Sequence, residues 1–241
     1  FTGSFLSNIG TWMQTTVAAA YVYTATGSAA SVGLILFATL GPLLALAVFG
    51  GLLADRVDNR RLVITMTSAQ LVISLAIAWM TRTDDARFGG LFFLLLLSGI
   101  AQSLFAPTFA ALVPTLVHRR DLTGAVSLNS ASLNLSRVIG PAIGGFIYSS
   151  VGASWAFVAN ASSYLFIIGA FLIVRLPERA HIDSGERSGV RKMSEGFRVA
   201  RHDRVIGRCL LTMTTFSLVC LPFVVQMPVL AEESFDIAPP S

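Results

Sequence analysis

Arg137 stands about halfway along a largely apolar stretch, residues 122–149. A guanidinium at that depth of a membrane span costs roughly 2.5–3.5 kcal/mol on insertion scales. It must either bond the carbonyls of a neighbouring helix or face a watery cavity, where it would contact a ligand or balance a proton-linked acid. Asn134, three residues earlier, shares its helix face and is placed to orient it. The same stretch carries Asn129, together with Ser132, Ser136, Gly140 and Gly144 at steps of four, a stripe along which another helix can come close. Gly145 adds to it. Pro141 donates no backbone hydrogen bond and so releases the carbonyl of Arg137, and a kink is expected there.

Two further helix faces carry groups able to hold a ligand. Ser4, Asn8, Thr11 and Thr15 recur at steps of four, three and four, with Gln14 nearby, and Ser98, Gln102, Phe105 and Phe109 repeat those steps. Amides, hydroxyls and aromatic rings suit a bulky, partly apolar molecule, and they serve equally well to bond one helix to another. A third cluster lies in GLLADRVDNRR, residues 51–61, where Gly51, Asp55, Arg56, Asp58, Arg60 and Arg61 mark the end of an apolar run. Arginines gather at any cytoplasmic membrane exit. That alone does not explain Asp55 and Arg56 placed four residues after a glycine.

Other chemistries lack parts. His118, His181 and His202 all fall in polar connections, and no Asp or Glu lies within the first six apolar spans to pair with a buried serine, which argues against an intramembrane enzyme. Cys209 and Cys220, eleven apart in one apolar stretch, would sit three turns apart on a helix, too far to bridge. No metal or cofactor is expected. The positive residues cluster beside apolar spans without interleaved aromatics, which fits orientation in a membrane and not nucleic-acid binding.

The elements that must position these groups are membrane helices. Of the 241 residues, 54% are hydrophobic and 12% charged, about half the charge of an ordinary soluble domain, and mean hydropathy is +0.71. Runs long enough to cross about 30 Å of hydrocarbon fall at 1–24, 31–54, 62–81, 90–116, 122–149, 153–175 and 205–231. Fourteen of the seventeen lysines and arginines lie after the second, fourth and sixth spans and into the seventh; Arg82 and Arg87 lie opposite, and Arg137 is inside a span. Because lysine and arginine set topology, the N-terminus and the basic loops are expected in the cytoplasm of a bacterial inner (cell) membrane. Residues 1–175 then form a six-helix bundle, 176–204 a cytoplasmic linker with 190–202 a candidate surface helix, 205–231 the first helix of a second bundle, and 232–241 a truncated tail. Phe1 opens the chain with no basic leader or small-residue cleavage site, so no signal peptide is expected and the first helix reads as clipped.

The residues 51–61 resemble motif A of the major facilitator superfamily, matching at Gly51, Asp55, Arg56 and Arg60, with Asp58 where a glycine is usual, Asn59 where an arginine is usual, and Arg61 as a substitute. In that family the aspartate pairs with basic groups and a helix end of the opposite half. The resemblance therefore implies a latch that stabilises the outward-facing state. Gly140, Pro141, Gly144 and Gly145 resemble motif C, associated with antiporters, although Asn129 and Ser136 stand where its longer form has glycines. With no Asp or Glu in the first six spans and Leu95 in the place of a motif B arginine, either a proton-carrying carboxylate is expected from a missing C-terminal half or the coupling is unusual. SNIGTWMQ, ATGSAASVGL, FAPTFAALVP and LNSASLNLSRVIGP resemble the branch that contains the enterobactin exporter, macrolide efflux proteins and transmembrane secretion effectors.

The resemblance implies an all-α twelve-helix transporter of two pseudo-symmetric bundles, exporting a small amphiphile by alternating access, with proton antiport. On this reading both motifs contact partners in the missing half. A non-transporting membrane sensor or interaction protein built on a truncated bundle is the alternative.

Overall fold

Apolar runs in lipid have one way to satisfy their backbone within a segment, which is to coil. In the computed structural model they do so as α1 (Thr2–Thr26), α2 (Ala29–Arg56), α3 (Asn59–Arg82), α4 (Phe88–Leu116), a 3-10 turn (Arg119–Asp121), α5 (Leu122–Val151) and α6 (Ala153–Ile173). The structure describes residues 2–56, 58–83 and 88–173, with 207, 208, 211, 212 and 215, but not the side chains of 44, 45, 47–56, 114–116 and 119. Among the described residues there is no strand. The chain divides into units Phe1–Glu178 and Arg179–Ser241. The expected linker 176–204, the tail 232–241 and nearly all of the expected seventh span, 205–231, lie outside the described residues.

Helix ends follow local chemistry. Gly27 and Gly152 take φ of +61° and +91°, a region that side-chain-bearing residues avoid, and their N–H groups bond the carbonyls of Tyr23 and Tyr148 at 2.8 and 3.1 Å. Ser28 Oγ accepts from the N–H of Ser31 at 3.4 Å and caps α2. Asp58 Oδ1 accepts from the N–H of Arg60 at 2.9 Å and caps α3. The residue that departs from the motif A pattern thus starts a helix.

Within the first unit, α1 packs on α5 and α6, α4 packs on α2 and α3, and α3 packs on α6. Exchanging α1, α2 and α3 for α4, α5 and α6 maps this set of contacts onto itself. Three helices per repeat make the second repeat run opposite to the first, which is the inverted symmetry of transporter bundles. The symmetry is imperfect at α5, which barely touches α4, although α2 does pack on α1.

Close crossings use glycine. A Cβ on Gly99 would meet the carbonyls of Thr39 and Ala38 at 2.5 and 2.7 Å, where α4 crosses α2. A Cβ on Gly140 would meet Trp12 Cβ at 2.7 Å and the Ile9 carbonyl at 2.8 Å, and one on Gly144 would meet Met13 Cγ at 3.0 Å. Ser136, Gly140 and Gly144 are the buried stripe of α5, and the helix they admit is α1 of the same bundle. That corrects the expectation that this element awaits a partner from outside the chain. Gly145 has open space around it, and α5 continues as helix through Pro141.

Asn59–Arg82, Phe88–Val113 and Ala153–Ile173 are long and apolar enough to cross a membrane. At 25 and 30 residues α1 and α5 have the length but no equally apolar continuous stretch. Trp79, Phe93, Phe146 and Trp155 point away from the bundle, as side chains facing lipid would. Gly140→Leu should destabilise the purified protein by about 2–3 kcal/mol, the upper range for overpacking, while Gly145→Leu should leave it unchanged; equal unfolding midpoints for the two variants would contradict the α1–α5 crossing.

Candidate functional site

The polar groups of the bundle fall into a buried set and an open set. At the centre of the buried set is Gln14 of α1, 3% exposed. Its Oε1 accepts from Asn160 Nδ2 of α6 at 2.6 Å and from Ser74 Oγ of α3 at 3.0 Å, while its Nε2 faces Ser98 Oγ of α4 at 3.5 Å. The Ser74 proton is shared with the Phe157 carbonyl at 2.9 Å. Asn160 Nδ2 also reaches the Tyr164 hydroxyl at 3.2 Å, and Ser163 Oγ bonds the Asn160 carbonyl at 2.7 Å. One carboxamide therefore joins four helices. Gly10 allows this approach, because a Cβ there would collide with Asn160 Oδ1 and come within 2.8 Å of Ser163 Oγ.

Gln14 was expected as a cavity contact and is instead enclosed, because in a medium without water an amide takes protein partners. Gln102, half-buried on α4, accepts at Oε1 from Gln70 Nε2 of α3 at 2.7 Å. Thr11 and Thr15 turn their hydroxyls to the carbonyls of Ser7 and Thr11, both at 2.9 Å. Phe105 and Phe109 stack with centroids 5.5 Å apart, and Phe109 meets the edge of Phe171 of α6, next to Val63, Leu112 and Ile167. These rings pack the core. Leu95 is fully buried.

The open set lies on α5 and the adjoining face of α1. Apart from the stripe, only Ala125 of α5 is buried. Ser127, Ser130, Asn134 and Arg137 are exposed, one turn or nearly so apart on one side of the helix, and Asn129 is half-buried. Asn134 Nδ2 bonds the Ser130 carbonyl at 2.9 Å. Arg137 is held by a different residue: its Cζ lies 5.3 Å from the centroid of the Trp12 ring. Asn8, one turn before Trp12 on α1, is half-buried. A cation–π contact returns about 0.5–2 kcal/mol, less than the roughly 2.5–3.5 kcal/mol cost of an arginine at mid-span. The cation remains short of compensation.

At the end of the bundle where α3 begins and α6 finishes, Arg60 reaches from the start of α3 to the last described turn of α6, with Nε on the Phe171 carbonyl at 2.9 Å and Nη2 on the Leu172 carbonyl at 3.2 Å. A cation there satisfies carbonyls the helix cannot use and favours its negative end. Arg61 lies 3.6 Å from Asp58, an exposed pair of little energetic weight. The side chains of Gly51, Asp55 and Arg56 lie outside the described residues.

Ser74, Gln70, Asn160, Ser163, Tyr164 and Trp12 did not stand out in the sequence. The available signal was depth: polar residues near the middle of α3 and α6 stand level with Gln14, and Trp12 lies in the Ser-Asn-Thr run of α1.

The profile of the transmembrane secretion effector family matches residues 1–239. The chain is similar to the staphyloferrin A transporter of Staphylococcus aureus, at 31% identity over 186 residues, covering 75% of this chain and 47% of that protein. It is similar to macrolide efflux protein A of Enterococcus faecalis, at 26% identity, covering 80% of this chain and 61% of that protein. The enterobactin exporter of Salmonella typhimurium is 24% identical, covering 73% of this chain and 43% of the relative. The chain thus spans about half the length of the curated relatives it matches.

Arg60→Gln should weaken the end of α6 by about 1 kcal/mol, allowing for partial exposure. Hydrogen exchange in residues 169–173 should then speed up about fivefold in detergent; an unchanged rate would mean that the clasp is not held in solution.

Proposed function

The chain belongs to the transmembrane secretion effector family of the major facilitator superfamily, and we propose that it is the amino-terminal part of a secondary transporter that exports a small amphiphilic molecule. The family match along nearly the whole chain carries this reading. The relatives' names point to a siderophore, a macrolide or another drug as the class of cargo. The inverted arrangement of three-helix repeats suits alternating access, in which one bundle rocks against another around a central site. Residues 1–175 serve as one such bundle, 176–204 as the linker and 205–231 as the start of its counterpart. Transport requires that counterpart.

On this reading the protein is a multi-pass protein of the bacterial inner membrane with its N-terminus and linker in the cytoplasm, and export is coupled to proton entry. The proton-carrying carboxylate belongs to the counterpart bundle, since the first six spans hold no Asp or Glu. Asp55 acts as the latch of the outward-facing state. Its neighbours in the chain support that role, since Asp58 caps α3 and Arg60 ties α3 to α6, so that Asp55 lies next to a braced helix start. The open face of α1 and α5 supplies cargo contacts through Asn8, Asn134 and Arg137.

Cells expressing the full-length protein should accumulate less siderophore or macrolide than cells without it. Asp55→Asn should remove the difference while membrane insertion stays normal. Equal accumulation with and without the intact protein would overturn the exporter reading, and normal export by Asp55→Asn would overturn the latch alone.

A further inference from the structure

Residues on the open face differ in kind from those inside the bundle: they include a full charge and nothing to oppose it. Arg137 lies fifteen residues from Leu122 and fourteen from Val151, which places it about 21–23 Å from either end of α5. Among the described residues the ion pairs are Arg61 with Asp58 and Arg120 with Asp121, both at helix starts. The six spans contribute no acid at any depth. Asn8, Ser130 and Asn134 offer dipoles only. The guanidinium lies over the Trp12 ring, and its N–H fork, the part that matches a carboxylate, is unused among the described residues.

Building on the transporter reading, we propose that Arg137 and Trp12 form the docking point for an anionic group of the cargo, and that the protein favours anionic over cationic amphiphiles. The contact with Trp12 restrains the guanidinium before a ligand arrives, so less is lost in ordering it. A carboxylate or similar anion then forms charge-assisted hydrogen bonds in a low-dielectric setting, where they are strongest. The Trp12 ring and the apolar part of α5 flank the body of the same ligand. A cationic amphiphile meets like charge at the same place, where screening by water and salt is weakest. The preference also suits export, because an inside-negative membrane potential drives an anion outward.

Two dyes with one three-ring skeleton and opposite charge isolate this effect: carboxyfluorescein, an anion, and rhodamine 6G, a cation. With the full-length protein in nanodiscs of neutral lipid, carboxyfluorescein should bind at least tenfold more tightly than rhodamine 6G. Arg137→Gln should weaken carboxyfluorescein at least tenfold without weakening rhodamine 6G. Arg137→Lys keeps the charge but not the fork, and should retain the preference with about a threefold loss. Because Arg137 is exposed on α5, both variants should elute as the intact protein does. Binding of rhodamine 6G as tight as that of carboxyfluorescein, a ratio unmoved by Arg137→Gln, or binding of neither dye would overturn the proposal. An acid from the remainder of the protein that neutralises Arg137 would give the second of these results. The cellular accumulation assay decides separately whether the protein exports anything, so charge-indifferent binding in a protein that still exports sinks this inference alone.

Discussion

The absence of water in the bilayer core governs this bundle, and its consequence is concentrated at the side-chain amide of Gln14. An amide carried into hydrocarbon must find its partners in protein. Gln14 finds them on three other helices at once, through Asn160, Ser74 and Ser98. For that to happen α1 must approach α6 closely enough that residue 10 has no side chain, and the same helix meets α5 where Gly140 and Gly144 admit it. The placement of α1 thus sets the places of α5 and α6. The α4–α2 crossing at Gly99 repeats the device in the second three-helix repeat.

The same constraint separates structural from functional polarity. Gln14, Gln70, Asn160 and the threonine hydroxyls bonded to their own helices are paired within the protein, and the three amides are buried. Arg137 is not paired in this way; one aromatic face supports it and its charge is unopposed among the described residues. α5 can carry it because its contacts are confined to one narrow stripe. The helix least engaged with its own bundle thus presents the group best suited to meet something from outside.

Much of this could be read from the chain. Apolar runs located α1 to α6 to within a few residues, and the four-residue spacing of Ser136, Gly140 and Gly144 marked a close crossing. The partner in that crossing was not legible, because a stripe of small residues specifies that a helix comes near without specifying which. Nor was the role of Gln14, whose bonded partners lie 60 to 146 residues away in the chain. Spacing can show that polar groups share a face, but pairing across helices depends on their relative depth and rotation. Asp58 teaches a smaller lesson: it departs from a motif where a glycine is usual, and aspartate is among the better residues for starting a helix.

If one amide organises the bundle, its strength should appear as coupling between helices that are distant in sequence. The direct measurement is a double-mutant cycle on Gln14→Leu and Asn160→Leu, each alone and together, unfolded reversibly from mixed micelles. A coupling of about 1 kcal/mol is predicted, towards the upper end for hydrogen bonds between membrane helices. Single-mutant effects that add to within about 0.3 kcal/mol would contradict the account, since α1 would then be held in place by packing alone.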